Sequence, residues 1–139
     1  MIDKYAPILP FEGLGGIKLG STKREVEAMC ERSLGEAMML FDGKWSRYQM
    51  GDLIMLFFEE NGGTLIKITA LPQYRGTLFG KIGTGFPIRE LMAMDHTFQY
   101  DEFEEICYSD ERGVEIDAPS LDGNAEWISV YREGLEATL

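Results

Sequence analysis

Few residues in this 139-residue chain combine a type and a spacing that could make or break bonds. His96 is the only histidine, and it follows Asp95. A histidine beside a carboxylate can act as a general base, but catalysis would also need a nucleophile placed by the fold. The pair falls at the end of a predicted helix, where a histidine satisfied by backbone carbonyls is the plainer reading. Cys30 and Cys107 stand far apart without a CxxC spacing. One histidine and two separate cysteines cannot assemble a zinc site, so both thiols are expected buried and reduced. Gly13, Gly15, Gly16 and Gly20 lead into a helix, but the run lacks the Lys-Ser/Thr ending of a P-loop and the GxGxxG register of a dinucleotide fold. No calcium-type DxDxDG loop is present. The residues thus predict no catalytic centre, no metal and no cofactor, and a chain that is not an enzyme.

The chemistry on offer is charge. Net charge is −11, and it is unevenly spread. Residues 1–69 hold 8 basic and 10 acidic side chains, whereas residues 70–139 hold 5 and 14. Such a field repels nucleic acid and anionic membrane, and it steers in basic partners. The densest stretch is DEFEEICYSDERGVEID, 101–117. Asp101, Glu102, Glu104, Glu105, Asp110, Glu111 and Asp117 alternate there with Phe103 and Tyr108. One reading is a set of solvated strand edges protected by charge. The sharper reading makes these nine residues a protein-binding face, with acids for steering and aromatics for anchors. A basic nuclease, which must hold phosphates, is the partner such a face would suit.

These residues need elements to hold them. Residues 1–13 carry Pro7, Pro10 and Gly13 and predict an extended lead-in. Ile17 and Leu19 make a short strand, and Gly20 a turn. Thr22 with Glu25 three residues later is a capping box opening a helix, which Gly35 is placed to stop. Asp42-Gly43 predicts a tight two-residue hairpin turn between residues 37 and 49. The apolar run at 52–60 predicts a central strand buried on both faces. Asn61-Gly62-Gly63 turns the chain into a partner strand, with Leu65, Lys67 and Thr69 on one side and Ile66 and Ile68 on the other. After the linker 72–76, Ile82 reads as a strand and Pro87 as the first residue of a second helix. Strands follow near 97–101, 104–110, 113–118 and 126–132.

The order is therefore strand, helix and several strands, twice over. The sequence itself echoes it. GIKLGSTKREVEAM at 16–29 aligns with KIGTGFPIRELMAM at 81–94 at an offset of 65, and residues 51–69 align with 113–131 at an offset of 62. The expected fold is α+β: two pseudo-repeated β-α-β-hairpin units, 14–71 and 78–132, forming an antiparallel sheet with two helices packed on it. At this length one domain, 1–139, is expected, burying roughly two-thirds of the unfolded surface.

The leader KYAPILPFEGLGGIKLGSTKREVEAM, 4–29, resembles immunity proteins of bacterial contact-dependent growth inhibition and related polymorphic toxin systems. The resemblance covers that segment and its echo at 81–94. A similar glycine-to-helix start occurs in secreted tandem-repeat inhibitors of β-lactamases and in small outer-membrane assembly lipoproteins. A secretion signal, a lipobox and a disulfide pattern like theirs are not expected of this chain. The resemblance implies a bound toxin domain, often a nuclease and in some cases carrying a host factor, but it transfers no site residue. The first residues have neither the basic start nor the sustained apolar segment of a signal peptide, so a cytoplasmic location is expected. Neither direct nucleic-acid contact nor membrane contact is expected. The alternative function is a small-ligand or peptide site on the concave face of the sheet, lined by Trp45, Tyr48, Phe57 and Trp127.

Overall fold

A computed structural model describes residues 1–135. The lead-in forms a minimal hairpin, β1 (Gly13–Leu14) and β2 (Ile17–Lys18), joined through Gly15-Gly16. Both glycines hold positive φ, 67° and 82°, which a two-residue hairpin turn of this kind requires. The lead-in is tied down by Tyr74. Its hydroxyl donates to the Ala6 carbonyl and accepts the Gly15 N–H at 2.8 Å. Burial raises the phenol's pKa, so it remains a donor at neutral pH. Tyr74→Phe strands two backbone groups and is expected to cost about 1–3 kcal/mol, read from the urea midpoint at unchanged m-value.

Helix α1 (Lys23–Cys30) opens on the expected capping box: the Thr22 hydroxyl accepts the Glu25 N–H at 3.2 Å, and the Glu25 carboxylate accepts the Thr22 N–H at 2.9 Å. Gly35 does not stop the helix. Glu31 takes the left-handed cap at φ 58° and closes it four residues earlier. Val26 and Cys30 face the core. Helix α2 (Ile88–Met94) buries Ile88 and Leu91, and Pro87 is its N-cap rather than its first residue.

The remaining strands are β3 (Met38–Leu40), β4 (Trp45–Met50), β5 (Ile54–Glu59), β6 (Leu65–Ala70), β7 (Gln99–Asp101), β8 (Ile106–Ser109), β9 (Val114–Asp117) and β10 (Trp127–Tyr131). They form one antiparallel sheet in the order β3-β4-β5-β6-β10-β9-β8-β7. Each helix is thus followed by four consecutive strands, and the last strand of each set, β6 and β10, meet at the middle. The α+β class expected from the sequence holds, with two helices, the eight-stranded sheet and the two-stranded β1-β2 pair.

Three local expectations are corrected. The β3–β4 connection is not a two-residue turn, because Phe41 and Asp42 also take positive φ and widen it to residues 41–44. Ile82 makes only an isolated bridge with Leu78. A register shift between Phe57 and Phe58 moves Leu65 to the helix side, while Ile66 joins Lys67 and Thr69 on the other.

The main core lies between the sheet and the helices. Leu56, Ile68, Ile116, Ile128 and Val130 meet Val26, Ile88 and Leu91 there, all 1% exposed or less. Among the described residues, no helix is long and apolar enough to cross a membrane.

Candidate protein-binding face

The cross-strand pairings place residues in rows over the helix-free side of the sheet. One row runs Gln49–Met55–Thr69–Ser129–Glu115–Tyr108–Gln99 across seven strands' worth of sheet, β4 to β7. A neighbouring row runs Trp127–Asp117–Ile106–Asp101. The centre of this side is polar and closely bonded. Thr69 and Ser129 share a 2.7 Å hydroxyl bond, and Lys67 reaches Glu115 at 3.1 Å while lying 5.1 Å from the Phe57 ring centroid.

At the end of the second row is the β7–β8 turn, residues 102–105. The Asp101 carboxylate accepts the N–H groups of Phe103 and Glu104 at 2.9 and 3.1 Å, and Glu105 closes the turn at φ 57°. This Asx-type geometry fixes the turn from within. It also presents Phe103 to solvent, 91% exposed. A phenyl ring held this far out of the core gains nothing from folding. Glu102, Glu104 and Glu105 surround it in sequence, all exposed. Among the described residues, none of the ion pairs involves Asp101, Glu102, Glu104 or Glu105. Their field is felt nearby. Burial first, then Glu105 and Glu102, raise the pKa of the Tyr100 phenol, which donates to the Ala118 carbonyl.

Pairing of β9 with β10 brings two more residues to this end. Trp127, 39% exposed, lies opposite Asp117, and the Glu126 N–H donates to the Asp117 carbonyl at 2.8 Å. Burial pushes the Asp117 carboxyl up to about 6, with Glu115 and Glu126 adding to the effect and Lys67 opposing it. The folded pKa thus lies above the unfolded value, so the stability this group contributes is present at low pH and is lost as pH rises through about 6. Asp117→Asn should therefore stabilise the protein at pH 7 by about 1–2 kcal/mol and leave it unchanged near pH 4. Paired thermal melts across that range would show the gain growing from about pH 4 and levelling off above about pH 6; a constant offset would locate the strain elsewhere.

The nine acidic and aromatic residues expected to act together are not one patch. Asp101, Glu102, Phe103, Glu104, Glu105 and Asp117 lie at one end of β8. Asp110 and Glu111 lie in the β8–β9 turn at the other end, about 13 Å away along four strand residues. Asp110 is engaged as well: it accepts the Tyr131 hydroxyl at 2.9 Å. Tyr108 is half-buried in the row between Glu115 and Gln99, in mid-sheet. Sequence reasoning left Glu126 and Trp127 out of this face. The alternation in EWISVY could have placed Trp127 with Ser129 and Tyr131, but only strand order places it beside Asp117.

The four aromatics proposed for a ligand pocket also separate. Trp45, Phe57 and Trp127 share the helix-free side, but Tyr48 faces the helices, with its ring 5.7 Å from Phe58 and 5.1 Å from the Lys23 ammonium. A groove of about 610 Å³ includes Trp45, but its other walls are Asp42, Gly43, Lys44, Glu59, Glu60 and Asn61. His96 is exposed, and its neighbour Asp95 is occupied elsewhere. Asp95 accepts the Thr97 N–H and hydroxyl and the Arg112 guanidinium at 3.1 Å. Burial opposes ionisation of Asp95, yet these bonds hold its pKa below the usual value. Among the described residues, no three His, Cys, Asp or Glu side chains are grouped to hold a metal ion.

Comparison of the chain with protein-family models, with characterised proteins and with solved structures finds no match.

Proposed function

We propose that the protein is a non-catalytic inhibitor, an immunity protein that neutralises a cognate toxin domain by binding it, with the β7–β8 turn as its contact. The observation that carries this reading is Phe103, 91% exposed on an internally fixed turn and flanked by carboxylates that join none of the ion pairs among the described residues. An apolar anchor ringed by unpaired acids suits a basic protein with a pocket beside its phosphate-binding site. A nuclease domain has that chemistry, and its inhibitor would act in the cytoplasm, where the toxin acts. Trp127 is the second anchor.

We also read the fold as one unit used twice, which supplies a long sheet without a second gene. Gly20 and Gly85, equivalent at the 65-residue offset, hold φ 90° and 95°. Each precedes its helix cap by two residues, and each N–H bonds a carbonyl at or beside the central strands, Leu65 and Ala125.

Capture from a lysate of the native host, with the tagged protein as bait and washes at rising salt, tests the reading. A stoichiometric basic protein that wild type retains and Phe103→Ala loses supports it. A partner retained equally by both, or a bait lane without a partner, overturns it.

A further inference from the structure

The acid-rich half of the chain contains a stretch of the opposite sign. Residues 70–139 carry 5 basic and 14 acidic side chains, yet 72–89 holds Arg75, Lys81 and Arg89 and no Asp or Glu. The fold gathers part of this stretch around a groove of about 430 Å³ beside the loop that enters α2. Arg75, Thr77, Lys81, Gly83, Thr84 and Phe86 are among its walls, and none of its nine lining residues is acidic.

The walls are fixed from behind. The Arg75 and Gly76 N–H groups both donate to the Lys4 carbonyl, at 2.8 and 2.9 Å. A Cβ at Gly76 would lie 1.9 Å from the Ala6 carbonyl oxygen, so only glycine lets the lead-in close on this side. Leu78 and Ile82 exchange backbone bonds at 2.7 and 2.9 Å and hold Lys81 in a tight turn. What the walls offer is donors in excess of acceptors. Lys81 joins none of the ion pairs among the described residues, and Arg75 gives one N–H to the Pro72 carbonyl at 3.1 Å. The consecutive N–H groups of Gly83 and Thr84 donate to no acceptor among the described residues. Asp3 adds to burial in raising the pKa of the lining Tyr74 phenol, but its carboxylate is turned back onto the Tyr5 N–H at 3.0 Å.

We propose that this groove binds a phosphate monoester. Arg75 and Lys81 supply the positive charge, and a guanidinium can hold two phosphate oxygens at once. Successive backbone N–H groups such as those of Gly83 and Thr84 make an anion-binding concavity. The Thr84 hydroxyl, held only by a 3.4 Å bond to the Pro72 carbonyl, is free to turn to the ligand. Phe86 and Pro87 give the organic part an apolar wall, and the volume falls within the roughly 300–1,000 Å³ of small-molecule sites. None of the walls belongs to the β7–β8 turn, and the site does not depend on the toxin reading.

Amide NMR titrations of the full chain with AMP, inorganic phosphate and adenosine, at fixed pH and ionic strength, test the site. AMP should move the Gly83 and Thr84 resonances with a Kd below about 1 mM, and adenosine, without the phosphate, should leave them in place. Lys81→Ala should weaken AMP binding about tenfold with an unchanged melting curve, because Lys81 is exposed and outside the described ion pairs. Arg75→Lys should weaken it as well, since it keeps the charge and loses the paired contact. A protein that binds neither AMP nor phosphate up to about 10 mM, or whose AMP affinity is indifferent to Lys81→Ala, overturns the proposal. Inorganic phosphate bound as tightly as AMP overturns the ester in favour of the free ion.

Discussion

Reversing Glu102, Glu104 and Glu105 to lysine is expected to slow association with a basic toxin domain by about 10- to 100-fold at low salt. The three carboxylates are exposed, unpaired and clustered on one turn, so their effect reaches the partner at long range before contact. The turn itself should survive, because Asp101 rather than the glutamates orders it. Raising ionic strength should narrow the difference, since the Debye length falls from roughly 10 Å at 0.1 M to roughly 3 Å at 1 M. Phe103→Ala should act differently, with an unchanged on-rate and a faster off-rate, as expected of an anchor seated after encounter. Reversing Glu111, at the other end of β8, supplies the control. Stopped-flow traces for the triple reversal and for Glu111→Lys separate the two ends. Equal slowing would mean that overall charge, rather than this turn, governs association.

The contrast between the two ends also shows what the chain discloses about itself. Local signals were legible. Thr22 and Glu25 announce their capping box because both partners lie within one helical turn. The apolar run at 52–60 announces a strand, and five of the six residues of β5 are buried. Turn chemistry was legible less closely, since positive φ at Glu31, Phe41 and Asp42 falls on residues that do not advertise it. Non-local placement was hidden. In sequence, 101–117 is one acidic ribbon; in space a four-residue strand cuts it in two. Asp110 was counted as free charge, but Tyr131, 21 residues on, claims it. Trp127 joined the site only because β9 and β10 pair in a register that sets it opposite Asp117. Charge composition announces that acids crowd the second half of the chain, and strand order decides which of them lie together.

Strand order also sets what holds the middle of the sheet, where the largest loss of stability is expected. Lys67 sits on β6 and Glu115 on β9, and their 3.1 Å pair spans β10, the strand between them. Their side chains are only 15% and 12% exposed. Lys67→Met keeps most of the volume but leaves Glu115 without a cation, in surroundings that already raise the Asp117 pKa. Removing one partner of a buried pair costs far more than the pair contributes net, and about 3 kcal/mol of destabilisation is expected. Because Lys67 lowers the Asp117 pKa, that group should titrate higher still in the variant, so the part of the deficit that Asp117 carries should shrink as pH falls toward about 6 and be gone below it. The double variant Lys67→Met/Glu115→Leu should recover most of the loss, since apolar residues of similar volume replace buried pairs at little cost. Urea unfolding of the wild type, both single variants and the double variant gives the coupling energy directly. Additive losses would mean that the two side chains act independently.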